Sequence, residues 1–439
     1  MLNSVWKSKI FVIIIIILAF FIPQFISRPA QTEVRSVVIG MGIDKFEKTD
    51  NTNNITGSES SNITLNSEEN LVELSAQIIV PHYNTGFNEN AQVISAVGEN
   101  VADAFERMSL HIGKILGLSH CSVIVIGGGM KNEDVMQSLD WFYRSKRLDS
   151  NADLLFTNGS AKEILKTSLK ADNNLSLSLN NILQFNDPID LTESQKFIEF
   201  VQTYYNNYGA SFLSVVDLVD EDYLGLSIQD AGSSGGGSSD SSGGVPSGGK
   251  LPAGEENKYL SNNGDTAIFK KGKLVAILNS NEMRGFNSLN NSAQRGLVVL
   301  NNVTDDVLTN ADVSLTKRGE ISTYTLSFKN GKPVILYNLK YKVRVEQILQ
   351  DNKSVEILQG YNDYITSGVQ KAFKDFVLES SANAVNISKK LNVDCLGIYD
   401  KFSKFKPKQW QEYLNSLENP EDYIQGVQFY VNVYANGND

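Results

Sequence analysis

The chain has few of the side chains from which most catalytic centres are built. Its 439 residues include three histidines, His82, His111 and His120, and no two stand at the helical spacing of a metal-ligand pair. There are two cysteines, Cys121 and Cys395, which excludes a disulfide-rich scaffold and a cysteine-based structural zinc site. Both lie in apolar runs, where a free thiol packs as a small hydrophobe; a single disulfide between them is the alternative. Cationic side chains are also short, 39 Lys and Arg against 50 Asp and Glu, for a net charge of −11. Nothing supplies the clustered cations that displace counterions from phosphates, so nucleic acid is excluded as a partner.

Catalytic motifs are missing as well. No His-Glu-x-x-His or Walker pattern occurs. Gly127, Gly128 and Gly129 follow a strand-like run and precede a helix-like one. They lack the spacing and the trailing Lys-Ser/Thr of a phosphate loop, and read as a tight turn. Asp217 and Glu221 can be nominated as a glycosidase pair, but such a pair must face across a cleft, and their surroundings read as a solvated loop. No catalytic, cofactor-binding or metal-ligating residue is assigned, no cofactor is expected, and the expectation is a protein that is not an enzyme.

What the chain does have is one long hydrophobic run. Residues 10–22 are uninterruptedly apolar, and the run resumes at Phe25 and Ile26. As a helix, residues 10–26 would span roughly 25 Å at about 1.5 Å per residue, the short end of what crosses a bilayer. A cleaved signal peptide needs small residues three and one positions before the cut. Ser27 and Ala30 are preceded at that spacing by Phe25 and Arg28, so an uncleaved anchor is preferred. Lys7 and Lys9 before the run nearly balance Arg28 and Arg35 after it. Lacking a second span, the chain is expected to place everything from Ser27 onward outside the membrane.

The division that follows is an anchor with short flanks (1–30), a mixed domain (31–230), a Gly/Ser-rich linker or long loop (231–256) and a second domain (257–439). The 232–254 tract cannot bury enough apolar surface to offset its ordering entropy. In the first domain, residues 34–43, 71–80, 121–126 and 153–157 read as strands. Residues 91–110 read as one helix, because Val93, Val97, Val101, Ala104, Phe105 and Met108 recur at helical spacing. Residues 133–143 read as another. A third opens at Ser160, with Glu163 completing a capping box. Tyr204, Tyr205 and Tyr208 read as a packed helix face, and residues 48–69 as an extended loop.

In the second domain, Lys270-Lys271-Gly272-Lys273 between two apolar runs signals a hairpin. Residues 298–307, 313–315, 321–328 and 334–345 read as strands, 365–387 as a long amphipathic helix and 407–417 as a further helix. Alternation from Val427 to Tyr434 predicts a terminal half-buried strand. The expected class is α+β: a transmembrane helix followed by a multi-domain ectodomain of mixed, largely antiparallel sheets packed with helices.

Five stretches in order resemble the Ger(x)C family of spore germination proteins, the C subunits of nutrient germinant receptors. Val-Val-Ile-Gly-Met-Gly-Ile-Asp-Lys at 37–45 carries Gly42 and Asp44. Leu-Ser-His-Cys-Ser-Val-Ile-Val-Ile-Gly at 118–127 carries His120 and Gly127, and Asn-Gly-Ser-Ala-Lys-Glu-Ile-Leu follows at 158–165. Ala-Ile-Phe-Lys-Lys-Gly-Lys-Leu-Val at 267–275 carries Phe269 and precedes Glu282, Arg284 and Gly285. Asp394-Cys-Leu-Gly397 is followed by Lys-Pro-Lys-Gln-Trp410. As residues these read as framework, with Glu282 and Arg284 expected to pair.

The resemblance implies a receptor component on the extracytoplasmic side of the spore inner membrane, beside integral membrane A- and B-type subunits, in an assembly that responds to nutrients. One feature departs from the family. Its members usually carry a lipobox cysteine, and here no cysteine precedes Cys121, so the apolar helix would replace the lipid. The alternatives are an extracytoplasmic binder of small molecules or wall polymer, and a surface hydrolase.

Overall fold

The computed structural model describes residues 35–46, 71–79, 91–145, 147–172, 195–206, 210–220, 258–262, 264–292, 296–350, 353–354 and 365–437. The anchor expected at 1–30, the 48–69 loop, the 232–254 tract, His82, Tyr208 and Glu221 lie outside these residues. Among the described residues no helix is long and apolar enough to cross a membrane.

Nine strands form the first sheet. They are β1 (Arg35–Lys45), β2 (Val72–Ile79), β3 (Ala91–Gly98), β4 (Ile115–Gly117), β5 (Val123–Ile126), β6 (Asp153–Phe156), β7 (Ser211–Val215), β10 (Thr266–Lys270) and β11 (Lys273–Leu278). Two short strands, β8 (Asp217–Asp220) and β9 (Lys258–Ser261), pair separately. The spatial order is β11-β10-β7-β6-β5-β1-β2-β3, with β4 beside the start of β1. The centre is parallel, β1 to β4 and β5, β5 to β6 and β6 to β7, and antiparallel hairpins close both ends.

Parallel central strands are buried on both faces, which is why their sequences run apolar without alternation. In β5, Ile124 and Ile126 join the larger core with α1 (Val101–Ile112), α2 (Val135–Ser145) and α4 (Phe197–Tyr205). Val123 and Val125 face the other way, toward α3 (Ala161–Asp172).

The second sheet is built from β12 (Gly296–Val303), β13 (Ala311–Lys329), β14 (Lys332–Gln350), β15 (Lys353–Ser354) and β16 (Gln428–Gly437). Strands β13 and β14 form a long antiparallel hairpin with bulges near Ser314 and Lys317, and β16 adds in parallel to β14. One face of this sheet packs on α5 (Ser280–Asn290), α6 (Ser367–Leu391), α7 (Ile398–Phe405), α8 (Pro407–Asn415) and α9 (Tyr423–Gly426). Thr366 caps α6 at its start by accepting from the Val369 N–H. Asn392 ends it in the left-handed region at φ 51°, and Lys389 and Lys390 face the negative end of the helix dipole.

Several sequence expectations change. Residues 91–98 are a strand, not the first half of a helix. Antiparallel pairing with β2 outweighs the helical spacing, and Asn100 starts α1 by accepting from the Asp103 N–H. Two expected strands at 313–315 and 321–328 are one, because bulges absorb the break in alternation. Strand β4 and helix α7 were not anticipated. Antiparallel pairs are numerous, but the middle of the first sheet is parallel.

The hairpin β10–β11 follows the Gly/Ser tract in sequence and yet belongs to the first sheet, through β7. Lys271 at φ 50° and Gly272 at φ 74° make the turn that suits strand twist. Ala267 and Phe269 face the first core, while Ile268 between them faces the second. The two halves of the chain therefore share one strand.

Candidate functional site: buried carboxylates and hairpin joint

Asp44 ends β1 and is only 7% exposed. Its carboxylate accepts from the Ala161 N–H at 2.8 Å, the Lys162 N–H at 3.0 Å and the Ser160 hydroxyl at 3.0 Å. These are the orphan donors at the start of α3, so a residue 117 positions upstream caps that helix. The expected local cap by Ser160 is corrected: its hydroxyl donates to Asp44. Burial raises the Asp44 carboxyl above its usual range, helped by Glu73 and opposed by the three hydrogen bonds.

Two glycines admit this carboxylate and helix. A Cβ on Gly127 would lie 1.8 Å from Asp44 Oδ1, and one on Gly42 would meet the Ala161 Cβ at 3.0 Å. A Cβ on Gly128 would meet the Asn158 carbonyl oxygen at 2.0 Å, and the Gly128 N–H donates to the Gly159 carbonyl. The triple glycine thus serves close backbone approach, and Gly128–Met130 is a 3-10 turn. From the other side Asp217 accepts from Thr157 Oγ1 and from both the backbone and side-chain N–H of Asn158. Asp217 is engaged as a loop brace. Lys45 pairs with Glu133 at 2.5 Å, and Lys162 with Glu73 at 2.5 Å.

The second carboxylate is Asp394, 4% exposed. It accepts from the N–H groups of Leu396, Ile398 and Tyr399 and from the Tyr423 hydroxyl at 2.8 Å. It therefore caps α7, whose chain enters through Gly397 at φ 61°. Burial raises this carboxyl too, against the pull of its hydrogen bonds and of Lys401. Lys401 donates to the Leu396 carbonyl and lies over the rings of Tyr324 and Tyr337 at 5.3 and 5.7 Å. Trp410 stacks on Phe402 at 5.1 Å and meets Tyr399 and Tyr423 edge-on, locking α8 over the same corner.

The hairpin is the third node. Phe269 is edge-on to Phe156 and Phe200 in the first core. The tip reaches both halves: the Val135 N–H donates to Gly272, Lys270 Nζ to the Asn392 carbonyl at 2.8 Å, and Lys271 pairs with Glu421 at 2.7 Å. The expected pairing of Glu282 with Arg284 is not formed. Residues two apart on a helix point in different directions. Glu282 instead closes a capping box with Asn279 at the start of α5, and Arg284 lies over Phe376 of α6 at 5.7 Å. Gly285 lets those helices touch, since a Cβ there would meet the Ser380 carbonyl at 2.0 Å.

His120 stands on an exposed turn before β5. Cys121 and Cys395 are free and buried, and burial pushes each thiol up to about 12, far from a reactive thiolate. Among the described residues, no group of three or more His, Cys, Asp or Glu is placed to hold a metal ion. A cleft of about 590 Å³ opens on the second sheet, lined by Thr323, Asn338, Lys340, Tyr341, Tyr434 and Asn436. The sequence reading did not find it. Its residues come from three strands, and only the β14–β16 register brings Lys340 beside Tyr434.

Residues 30–218 match the model of the spore germination protein N-terminal domain, and residues 264–436 that of the spore germination B3/GerAC-like C-terminal domain. The chain belongs to the GerAC-like spore germination family. Among its curated members, the YfkR spore germination protein of Bacillus subtilis (strain 168) is 22% identical over 334 residues, 74% of this chain and 75% of that protein. The crystal structure of the GerBC protein is similar to 84% of this GerAC-like chain and 94% of its own length, at 13% identity and a TM-score of 0.48. The two matched segments flank the Gly/Ser tract, and the β10–β11 joint opens the second of them.

Proposed function

We propose that this chain is the membrane-tethered C-type component of a spore nutrient receptor, a scaffold without catalytic chemistry. Residues 1–30 hold it to the membrane, and residues 31–230 and 257–439 stand outside as two domains joined through the shared β10–β11 hairpin. It assembles with integral membrane A- and B-type subunits and passes on their signal through protein contacts.

One observation carries the reading. Apart from the exposed His120, every motif residue is engaged in bracing: Asp44 and Asp394 cap helices, Gly42, Gly127 and Gly285 admit close contacts, and Phe269 and Trp410 fill cores. Asp394 accepts four hydrogen bonds and Asp44 three, and both are buried, so their oxygens are engaged in holding the fold. Family membership supplies the biological setting. Deletion of this chain should abolish or slow germination triggered by at least one nutrient, and the tagged protein should co-purify with polytopic membrane subunits. An intact response to every nutrient tested, with no such subunits recovered, would refute the role.

The cleft favours a second reading, a binder of small molecules or wall polymer. Amide, hydroxyl, ammonium and aromatic groups converge there, the mixture that recognises polar ligands. Thermal-shift measurements against amino acids, sugars and muropeptides separate the two, because specific binding raises the melting temperature by mass action.

A further inference from the structure

We infer that the tip formed by the end of α1 and the start of β4 rests on the lipid surface and sets the orientation of the ectodomain. This inference rests on the proposed anchor at residues 1–30. Four observations carry it. First, α1 buries Val101, Ala104, Phe105 and Met108 against the first core, yet its last turn presents Leu110 outward at 73% exposure. Second, after Gly113 turns the chain at φ 62°, Ile115 on β4 is 51% exposed, while Leu116 beside it is buried. Two large apolar side chains thus stand exposed five residues apart around one turn, with no partner among the described residues to require them there.

Third, β4 runs parallel to β1 with Ile115 opposite Arg35, the first described residue after the apolar run. That run ends at Ile26, and nine residues span at most roughly 30 Å. The tip is therefore kept close to the bilayer, and tethering turns even a weak lipid contact into an intramolecular one. Fourth, the local charge is opposite to that of the whole chain. Arg35 lies opposite Ile115 and Lys114 precedes it, Arg107 is paired with Asp103, and Glu106 is the exposed acid one turn back on α1. The chain as a whole carries −11 and is repelled by anionic headgroups. Apolar side chains flanked by two cations suit the boundary between headgroups and acyl chains of an anionic leaflet.

The orientation follows from β1. The strand starts at Arg35 beside the tip and ends at Lys45 ten residues later, roughly 33 Å away at about 3.3 Å per residue. The Asp44 node and the Gly128–Met130 turn are thereby held away from lipid, on the side open to partners.

The test uses the full chain in vesicles containing phosphatidylglycerol. An environment-sensitive fluorophore is placed on Leu110→Cys, Ile115→Cys or, at the far end, Lys131→Cys; Cys121 and Cys395 are buried and leave the labelling selective. Blue-shifted emission at 110 and 115, quenched by brominated acyl chains, with neither effect at 131, is the expected result. In the Leu110→Asp variant the label at 115 should lose its quenching while the protein still sediments with vesicles. Sedimentation with tip labels as unquenched as position 131 would overturn the docking and leave the anchor standing. Failure to sediment at all would overturn both. A blue shift without lipid quenching, appearing only when membrane subunits are added, would assign the tip to a protein and overturn the lipid contact.

Discussion

Asp44 and Asp394 do the same job at two ranges. Each is a buried carboxylate that caps a helix, but Asp394 reaches a helix four residues on, and Asp44 one 117 residues on. The first builds a corner and the second ties a strand to a helix that local sequence would leave unattached. The lesson concerns what a motif carboxylate means. A buried Asp within a motif resembles a catalytic group until its lone pairs are followed to their donors.

Steric contrast gives the largest expected effects. Gly127→Ala forces a methyl group into the Asp44 carboxylate, and Gly285→Ala forces one into the backbone of α6. Each should lower unfolding stability by roughly 3–5 kcal/mol in chemical denaturation. If Gly127→Ala is tolerated and Gly285→Ala is not, the Asp44 node is looser than its geometry implies. Removing the acceptors comes next. Asp394→Ala strands three N–H groups and a hydroxyl in a dry corner and should cost about 3 kcal/mol. Asp44→Ala should cost about 2 kcal/mol, since Ser160 and Lys162 are partly exposed and water can replace the cap. The reverse order would contradict the comparison.

The pH dependence sharpens it. Burial raises both carboxyls above 3.8, so the folded state holds these protons more tightly than the unfolded state. Their stabilising contribution is complete below about pH 3.8 and is lost as pH rises through each raised folded value. The stability of the wild type relative to Asp44→Asn or Asp394→Asn should therefore shrink as pH rises from about 4. A gap that widens with pH would show that the ionised form is favoured by folding. The smallest effect belongs to the partly exposed Lys45–Glu133 pair, where Glu133→Gln should change stability by about 0.5 kcal/mol or less.

The sequence reveals the elements better than their pairing. The β10–β11 hairpin, the long helix and the terminal strand are all marked by local period and turn residues, and each is present. Residues 91–98 misled because Val93 and Val97 continue the spacing of the true helix that begins at Val101, and only pairing with β2 separates them. The β7–β10 pairing across the Gly/Ser tract leaves no local trace, so a shared strand reads as a domain boundary. For the site, motif order identifies the residues but not their partners. Glu282 and Arg284 look like an ion pair in one dimension and become a cap and a ring contact on a helix. The cleft on the second sheet depends on parallel register between strands about 90 residues apart, which no local pattern encodes.

The most direct test measures nutrient response per folded molecule in spores carrying Gly127→Ala, Asp44→Asn, Asp394→Asn or Trp410→Phe. A bracing role predicts that response falls only in step with the amount of folded protein. A variant that accumulates and melts like wild type, yet leaves the spores unresponsive, would mean that the residue acts on a ligand or a reaction.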